Sequence, residues 1–289
     1  MPHTEAIVQR GDSHVPPQSG AQVAVIKHRV AVLCDANLHT QATVPVLIRA
    51  GVNIVAVAIA EKRVSIKRIQ RALKRGGAWS AASRKIAMIA CRTLYGRHDK
   101  KAYDSLYNRA EIELEINRSC VSVRRCTEYT EPEMLEWLRS VTPDVIVVHS
   151  GVMVPAVVRN LALTGIVIGG HPGITQSFRG GSSPFRALYQ GRRHDVGWTV
   201  FHVGKGVDTG DIISQGLLQL RSEDSFNSIE WRAMLCIAEE QGRVLSSFDK
   251  GQEIPRHPYG PVNPDTLYWH PTLSELGRFL LKRREESAS

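Results

Sequence analysis

The sequence lacks any CxxC pair, and its five cysteines, Cys34, Cys91, Cys120, Cys126 and Cys236, are an odd number. That excludes a zinc ribbon and a secreted disulfide framework, and points to a reducing, cytoplasmic setting. Long apolar runs are also missing. Residues 145–148 and 152–158 are the nearest approach, and His149, Ser150 and Pro155 interrupt them far short of a membrane span. Residues 1–22 hold Pro, Gly, Ser and His but no apolar stretch, so they read as a disordered leader and not a signal peptide. There is no internal repeat. What remains is an ordinary globular composition: 289 residues, 43% hydrophobic and 22% charged, enough to bury a core without disulfide or metal staples. Lys and Arg outnumber Asp and Glu by 37 to 28. The surplus sits in residues 62–101, which carry 13 basic residues and one acid, net +12, so the rest of the chain sums to −3.

The apolar pattern predicts an α/β fold. Residues 29–34 (RVAVLC) and 53–60 (NIVAVAIA) are short β-branched runs, separated by Val44, Leu47 and Ile48 at helical spacing. Residues 144–148 (DVIVV) and 165–168 (GIVI) repeat the pattern around a helix at 155–161. Alternation of this kind predicts an open, mostly parallel, Rossmann-like sheet with helices on both faces. Residues 62–118 read as a helical insertion, broken at Gly76 and Gly77. A short strand is expected at 121–125 and a helix at 131–140 with Pro132 in its first turn. Residues 23–220 would form the main α/β domain, ending in two half-buried strands at 198–203 and 211–220. Residues 221–289 would form a short C-terminal extension. In it a helix capped by Asp224 or Ser225 precedes a Pro-rich tail that packs Tyr259, Tyr268 and Trp269 on the body.

In open parallel sheets, ligands bind beyond the carboxyl ends of the strands. The loop after the GIVI strand reads Gly169-Gly170-His171-Pro172 and continues through Gln176 to Phe178-Arg179-Gly180. It offers an imidazole, small residues that permit close approach, and a cation. A second loop, Val203-Gly204-Lys205-Gly206-Val207-Asp208-Thr209-Gly210-Asp211, joins the last two strands. A lone loop His is more often structural, and an Asp beside Gly is more often a turn former. Their placement at strand ends lets His171 and Asp208 meet across a cleft, where a carboxylate orients an imidazole for acid-assisted acyl chemistry.

Four pieces in this order resemble the folate-dependent formyltransferases: Gly169-Gly170-His171-Pro172, Phe178-Arg179-Gly180, Gly197-Trp198-Thr199 and Val207-Asp208-Thr209-Gly210-Asp211. The resemblance covers residues 144–215 and is confined to the strand, helix, strand pattern before them. It implies that His171 stabilises the oxyanion of the reacting formyl group and that Asp208 helps move the proton. It implies a 10-formyltetrahydrofolate site made largely by main chain at Gly151, Val152, Met153 and Val154 and at Gly204, Lys205, Gly206 and Val207. Arg179 and Gln176 would stand on the acceptor side, and no metal is required. One departure stands out: Gly169 replaces the family's Asn, whose amide donates to the oxyanion. Gln176 or a backbone amide could take its place, the pocket could be widened, or activity could be impaired.

The expectation is therefore an N-formyltransferase of one-carbon biosynthesis acting on a small-molecule amine. Residues after Leu220 are few beside the C-terminal barrel of methionyl-tRNA enzymes, which favours a small acceptor. Hydrolysis of 10-formyltetrahydrofolate, or binding of an anionic ligand or nucleic acid by an impaired relative, are the alternatives. Nucleic acid would use residues 62–75, which hold seven basic residues and no acid. No membrane partner is expected, and a homodimer is compatible with the sequence.

Overall fold

The computed structural model describes residues 8–10, 26–61, 66–118 and 121–288. In chain order the elements are β1 (Val8–Arg10), β2 (Val30–Asp35), α1 (Leu38–Gln41), α2 (Thr43–Arg49), β3 (Ile54–Ala60), α3 (Ile66–Leu106), α4 (Arg109–Arg118) and β4 (Ser122–Cys126). They continue with α5 (Pro132–Ser140), β5 (Val145–His149), α6 (Ala156–Arg159), β6 (Ile166–His171), β7 (Arg179–Gly180) and α7 (Ser183–Tyr189). The last are β8 (Gly197–His202), β9 (Ile212–Leu217), α8 (Phe226–Asp249), β10 (Leu267–Tyr268) and α9 (Leu273–Ala288).

Eight strands form one sheet in the order β1-β9-β8-β6-β5-β2-β3-β4. β6, β5, β2, β3 and β4 are mutually parallel, and β8 runs against both its neighbours. The chain lays β3 on one side of β2 and β5 on the other, so the order reverses between β2 and β5. At such a reversal the flanking loops diverge and leave a crevice at the carboxyl ends.

Every side chain of β2 and β5 is buried, because both faces are covered. Val30, Val32 and Cys34 of β2 pack with α2 (Val44, Leu47), α4 (Ile112, Ile116) and α8 (Ile237, Ala238, Leu245). Ala31 and Leu33 pack on the other face with Met134 and Leu138 of α5. Each such Leu or Ile contributes roughly 1.5–3 kcal/mol by leaving water. α8 starts at Ser225, whose hydroxyl accepts from the Ser228 amide in a capping box.

Three features differ from the sequence reading. α3 runs unbroken through Gly76 and Gly77. A helical glycine costs only about 1 kcal/mol against alanine, and packing further along, through Ala87 and Tyr103, holds the helix to the body. The tail ends in a helix, α9, whose Leu276 and Phe279 pack with Ala87 of α3 and Phe185 of α7. Finally, Val8–Arg10 pairs with β9 as an edge strand, while residues 1–7 and 11–22 of the expected leader lie outside the described residues. So does Cys120.

Candidate active site

The cleft at the sheet's carboxyl edge has a volume of about 1620 Å³ and is lined by the ends of β2, β5 and β6, the loop before β9, and α3, α8 and the C-terminal tail. His171, the last residue of β6, is 5% exposed. Its Nε2 lies 3.0 Å from the Phe178 carbonyl oxygen and 2.8 Å from Ser183 Oγ. A carbonyl only accepts, so Nε2 carries a hydrogen. That leaves Nδ1 as the ring atom available to the cleft. It lies 3.4 Å from Asp208 Oδ2.

The positions of both groups follow from local backbone demands. A Cβ on Gly173 would stand 2.6 Å from Ser183 Cβ and 3.1 Å from His171 Nε2, so only glycine lets the loop fold back over the ring. The Gly210 position lies against the His202 carbonyl oxygen, with 1.5 Å to a built Cβ. This turn closes the loop that presents Asp208. Asp208 itself adopts φ 52°, a left-handed conformation that Asp tolerates better than most residues. The Gly180 amide donates to its Oδ2 at 3.1 Å and fixes the carboxylate. Beneath the loop, Thr199 Oγ donates to the Gly173 carbonyl and accepts from Gln215 Nε2.

Gly151, Val152, Met153, Val154, Gly169, Gly204, Gly206, Val207 and Asp208 all line the cleft. Three sequence-based assignments fall outside it, and each has a structural reason. Lys205 sits at the outer turn of its loop and is exposed. Gln176 is exposed and pairs with Gln215, whose Nε2 donates to it at 2.6 Å, and it is not among the residues lining the cleft. Arg179 is buried as a clamp: it donates to the Val207 carbonyl at 3.1 Å, to the Asn263 carbonyl at 2.8 Å and to Thr266 Oγ1 at 3.0 Å. It ties the Asp208 loop to the tail instead of facing an acceptor.

Gly169 is occupied territory. A Cβ there would lie 2.9 Å from Val203 Cγ2 and 3.0 Å from Phe201 Cζ. A side chain at this position would have to displace one of these two.

Several residues in the cleft escaped the sequence reading. Asp35 ends β2 and is 2% exposed; it accepts from Ser150 Oγ at 2.7 Å and from the Gly151 amide at 3.2 Å. This bridges the crevice between β2 and β5. A polar residue ending an apolar strand at the reversal point was the available signal. His149 is buried beside it. Burial pulls its pKa down to about 4, the Gln241 amide opposing only in part, and neither ring nitrogen has a partner of good geometry. On the far wall, Asp99 of α3 accepts from Ser225 Oγ and from Asn227 Nδ2, the latter at 2.7 Å, and so clamps α3 to the start of α8. The tail brings Trp269, His270 and Pro271 to the rim, with Ser182 Oγ and His270 Nδ1 2.7 Å apart. Among the described residues no group of three His, Cys, Asp or Glu side chains is placed to hold a metal.

Comparisons with known proteins bear on the family and the fold. Methionyl-tRNA formyltransferase of Dehalococcoides mccartyi (strain CBDB1) is 31% identical over 96 residues, 33% of this chain and 30% of that enzyme. The corresponding enzyme of Thermotoga neapolitana is 30% identical over 137 residues, 45% of this chain and 43% of its own. The matches thus span less than half the length of these curated relatives. Among solved structures, glycinamide ribonucleotide transformylase 1 from Symbiobacterium toebii superposes with TM-score 0.52 at 16% identity, covering 78% of this chain and 88% of that one. Phosphoribosylglycinamide formyltransferase from Anaplasma phagocytophilum gives TM-score 0.53 at 14% identity, covering 83% and 92%. These two show the shared fold. The family profile for formyl transferases matches residues 29–235, from the first central strand into α8 and through both loops that meet at the cleft. By that match, the chain belongs to the formyl transferase family.

Proposed function

We propose that the chain transfers a formyl group from 10-formyltetrahydrofolate to the amine of a small-molecule acceptor, as a cytoplasmic biosynthetic enzyme. The observation that carries this reading is the His171–Asp208 pair, set in one cleft between the two loops assigned to the donor. The cleft exceeds the few hundred Å³ typical of one small ligand, leaving room for donor and acceptor together.

The donor supplies an activated formyl carbon. Residues 151–154 on one side, and Gly204, Gly206 and Val207 on the other, would hold its ring. His171 Nδ1 faces the carbonyl oxygen and donates to it once Asp208 has shared the amine's proton with the ring, since Nε2 keeps its own hydrogen on the Phe178 carbonyl. Its Nε2 anchor to Phe178 and Ser183 keeps the ring oriented without reorganisation. Asp208 accepts the proton that the attacking amine must lose, and returns it to the departing nitrogen. Its fixation by Gly180 keeps it within reach of the imidazole.

Gly169 favours a second reading in one respect. The resemblance puts Gly169 where relatives hold an Asn, and without that amide one oxyanion donor is missing, a loss that typically costs about 2.7–4 kcal/mol. Hydrolysis of the donor, or ligand binding by an impaired enzyme, fits a site so depleted. Turnover of 10-formyltetrahydrofolate, followed by folate absorbance with and without candidate amines, separates these. Amine-dependent turnover is expected. It should vanish in His171→Ala and fall about 10²- to 10⁴-fold in Asp208→Asn. Formate release indifferent to amine would establish the hydrolase. Wild-type rates in both variants would remove the chemistry from this pair.

A further inference from the structure

We propose that α3 carries a lipid-docking face: its outward apolar stripe, Trp79, Ile86, Ile89 and Leu94, rests on an anionic bilayer surface, and exposed basic residues of the same helix, Arg97 and Lys101, hold it there. The stripe is exposed to an unusual degree, with Trp79 87%, Ile86 51%, Ile89 58% and Leu94 59% accessible. At 100° per residue these four positions fall within an arc of roughly 140°, and they extend about 22 Å along the axis. The helix is tied to the body at two points, one bordering the stripe beside Leu94 and one on its far side. Ala87 is fully buried with Phe185, Leu276 and Phe279, and Asp99 is bonded to Ser225 and Asn227. The stripe therefore cannot turn inward without breaking that packing.

Charge selects the occupant. Residues 62–101 carry a net +12. A second copy of this chain would cover the apolar side chains but would set two such segments against each other. An RNA backbone would neutralise the charge but leave Trp79 and the two isoleucines facing phosphates. An anionic membrane surface satisfies both, since headgroups meet the basic residues while apolar side chains enter the boundary below them. This is a surface association. Among the described residues no helix is long and apolar enough to cross a membrane. Met88, Arg92 and Tyr95 of the same helix line the cleft, so docking sets the cleft's wall beside the headgroups. The proposal departs from the sequence-based expectation of no membrane partner. The inference does not depend on the donor or the acceptor.

Sedimentation of the full chain with sucrose-loaded vesicles tests it, using phosphatidylcholine alone and phosphatidylcholine with about a quarter phosphatidylglycerol. Partitioning onto the anionic vesicles is expected to be at least about tenfold stronger and to weaken at high salt. The triple variant Trp79→Ser, Ile86→Ser, Ile89→Ser should lose about tenfold, with circular dichroism and Tm matching the wild type. If that variant folds poorly, Trp79→Ser alone serves: vesicles should blue-shift wild-type emission and leave the variant's unchanged. Equal binding to both vesicle types, or full binding by the variants, overturns the proposal. So does a triple variant that only converts a dimer to a monomer by light scattering, or only abolishes a gel shift with RNA.

Discussion

A buried glycine and a buried histidine carry the sharpest consequences at the scale of single residues. The substitution Gly169→Asn puts atoms where Phe201 and Val203 already are. Overpacking of this kind costs about 1–3 kcal/mol. The variant should melt earlier and gain no activity, whereas adding Phe201→Val should recover much of the lost Tm; thermal melts of the single and double variants check this. His149 gives a pH signature. Its native pKa of about 4 lies below the ordinary 6.5, so the unfolded chain takes up the proton first. The stability it protects is whole above pH 6.5 and is lost as pH falls toward 4. At pH 5 the loss should be about 2 kcal/mol, and His149→Met should remove that part of the pH dependence in urea melts at pH 7 and pH 5. His171 and Asp208 were legible as residues because both follow apolar runs at strand ends. Their orientation was not, since it depends on the Phe178 carbonyl, Ser183 and the Gly180 amide, groups without chemical distinction in the sequence.

At the scale of elements, the site is held from behind by the C-terminal tail. β10 pairs with β7, and Arg179 joins the tail to the carbonyl of Val207, next to Asp208. A lone cation after a glycine-bearing loop suggested an acceptor contact. The tail covers it, and coverage by a segment 84 residues away is invisible to local spacing. Arg179→Ala should cost about 1–3 kcal/mol, as three partly buried hydrogen bonds to its guanidinium are lost. It should also speed amide exchange at residues 263–268 and lower turnover by slackening the Asp208 loop. Unchanged exchange there would mean that the tail is held by other contacts. The central strands and α5 were readable to within a residue or two, because burial on both faces leaves short β-branched runs. α3 was misread at Gly76 and Gly77: the price of two glycines is set by local propensity, but the helix is held by distant packing.

For the whole molecule, the crevice between β2 and β5 is the organising fact, and a buried thiol beside it reports on global integrity. Cys34 lies in the central strand, fully buried, and burial pushes its thiol far above the ordinary cysteine range. Cys126 is raised to about 11, again chiefly by burial. Neither presents a thiolate at neutral pH. Cys34 should react with a thiol reagent only as fast as the whole domain unfolds, so its labelling rate in dilute urea should track the loss of far-UV ellipticity. Fast labelling in native buffer would show that the β2–β5 crevice opens locally.

The sequence by itself determined the alternation of strands and helices, the side of the sheet on which chemistry must lie, the His and Asp that could perform it, and the charge concentrated in residues 62–101. These are properties of composition and spacing, carried by the period of buried side chains. Only the tertiary structure decided that Phe201 and Val203 crowd Gly169, that Arg179 is a clamp, that Asp35 spans the crevice, and that α3 leaves an apolar stripe uncovered. Each of these depends on which distant segments share a volume, and excluded volume between residues far apart in the chain leaves no mark on local pattern.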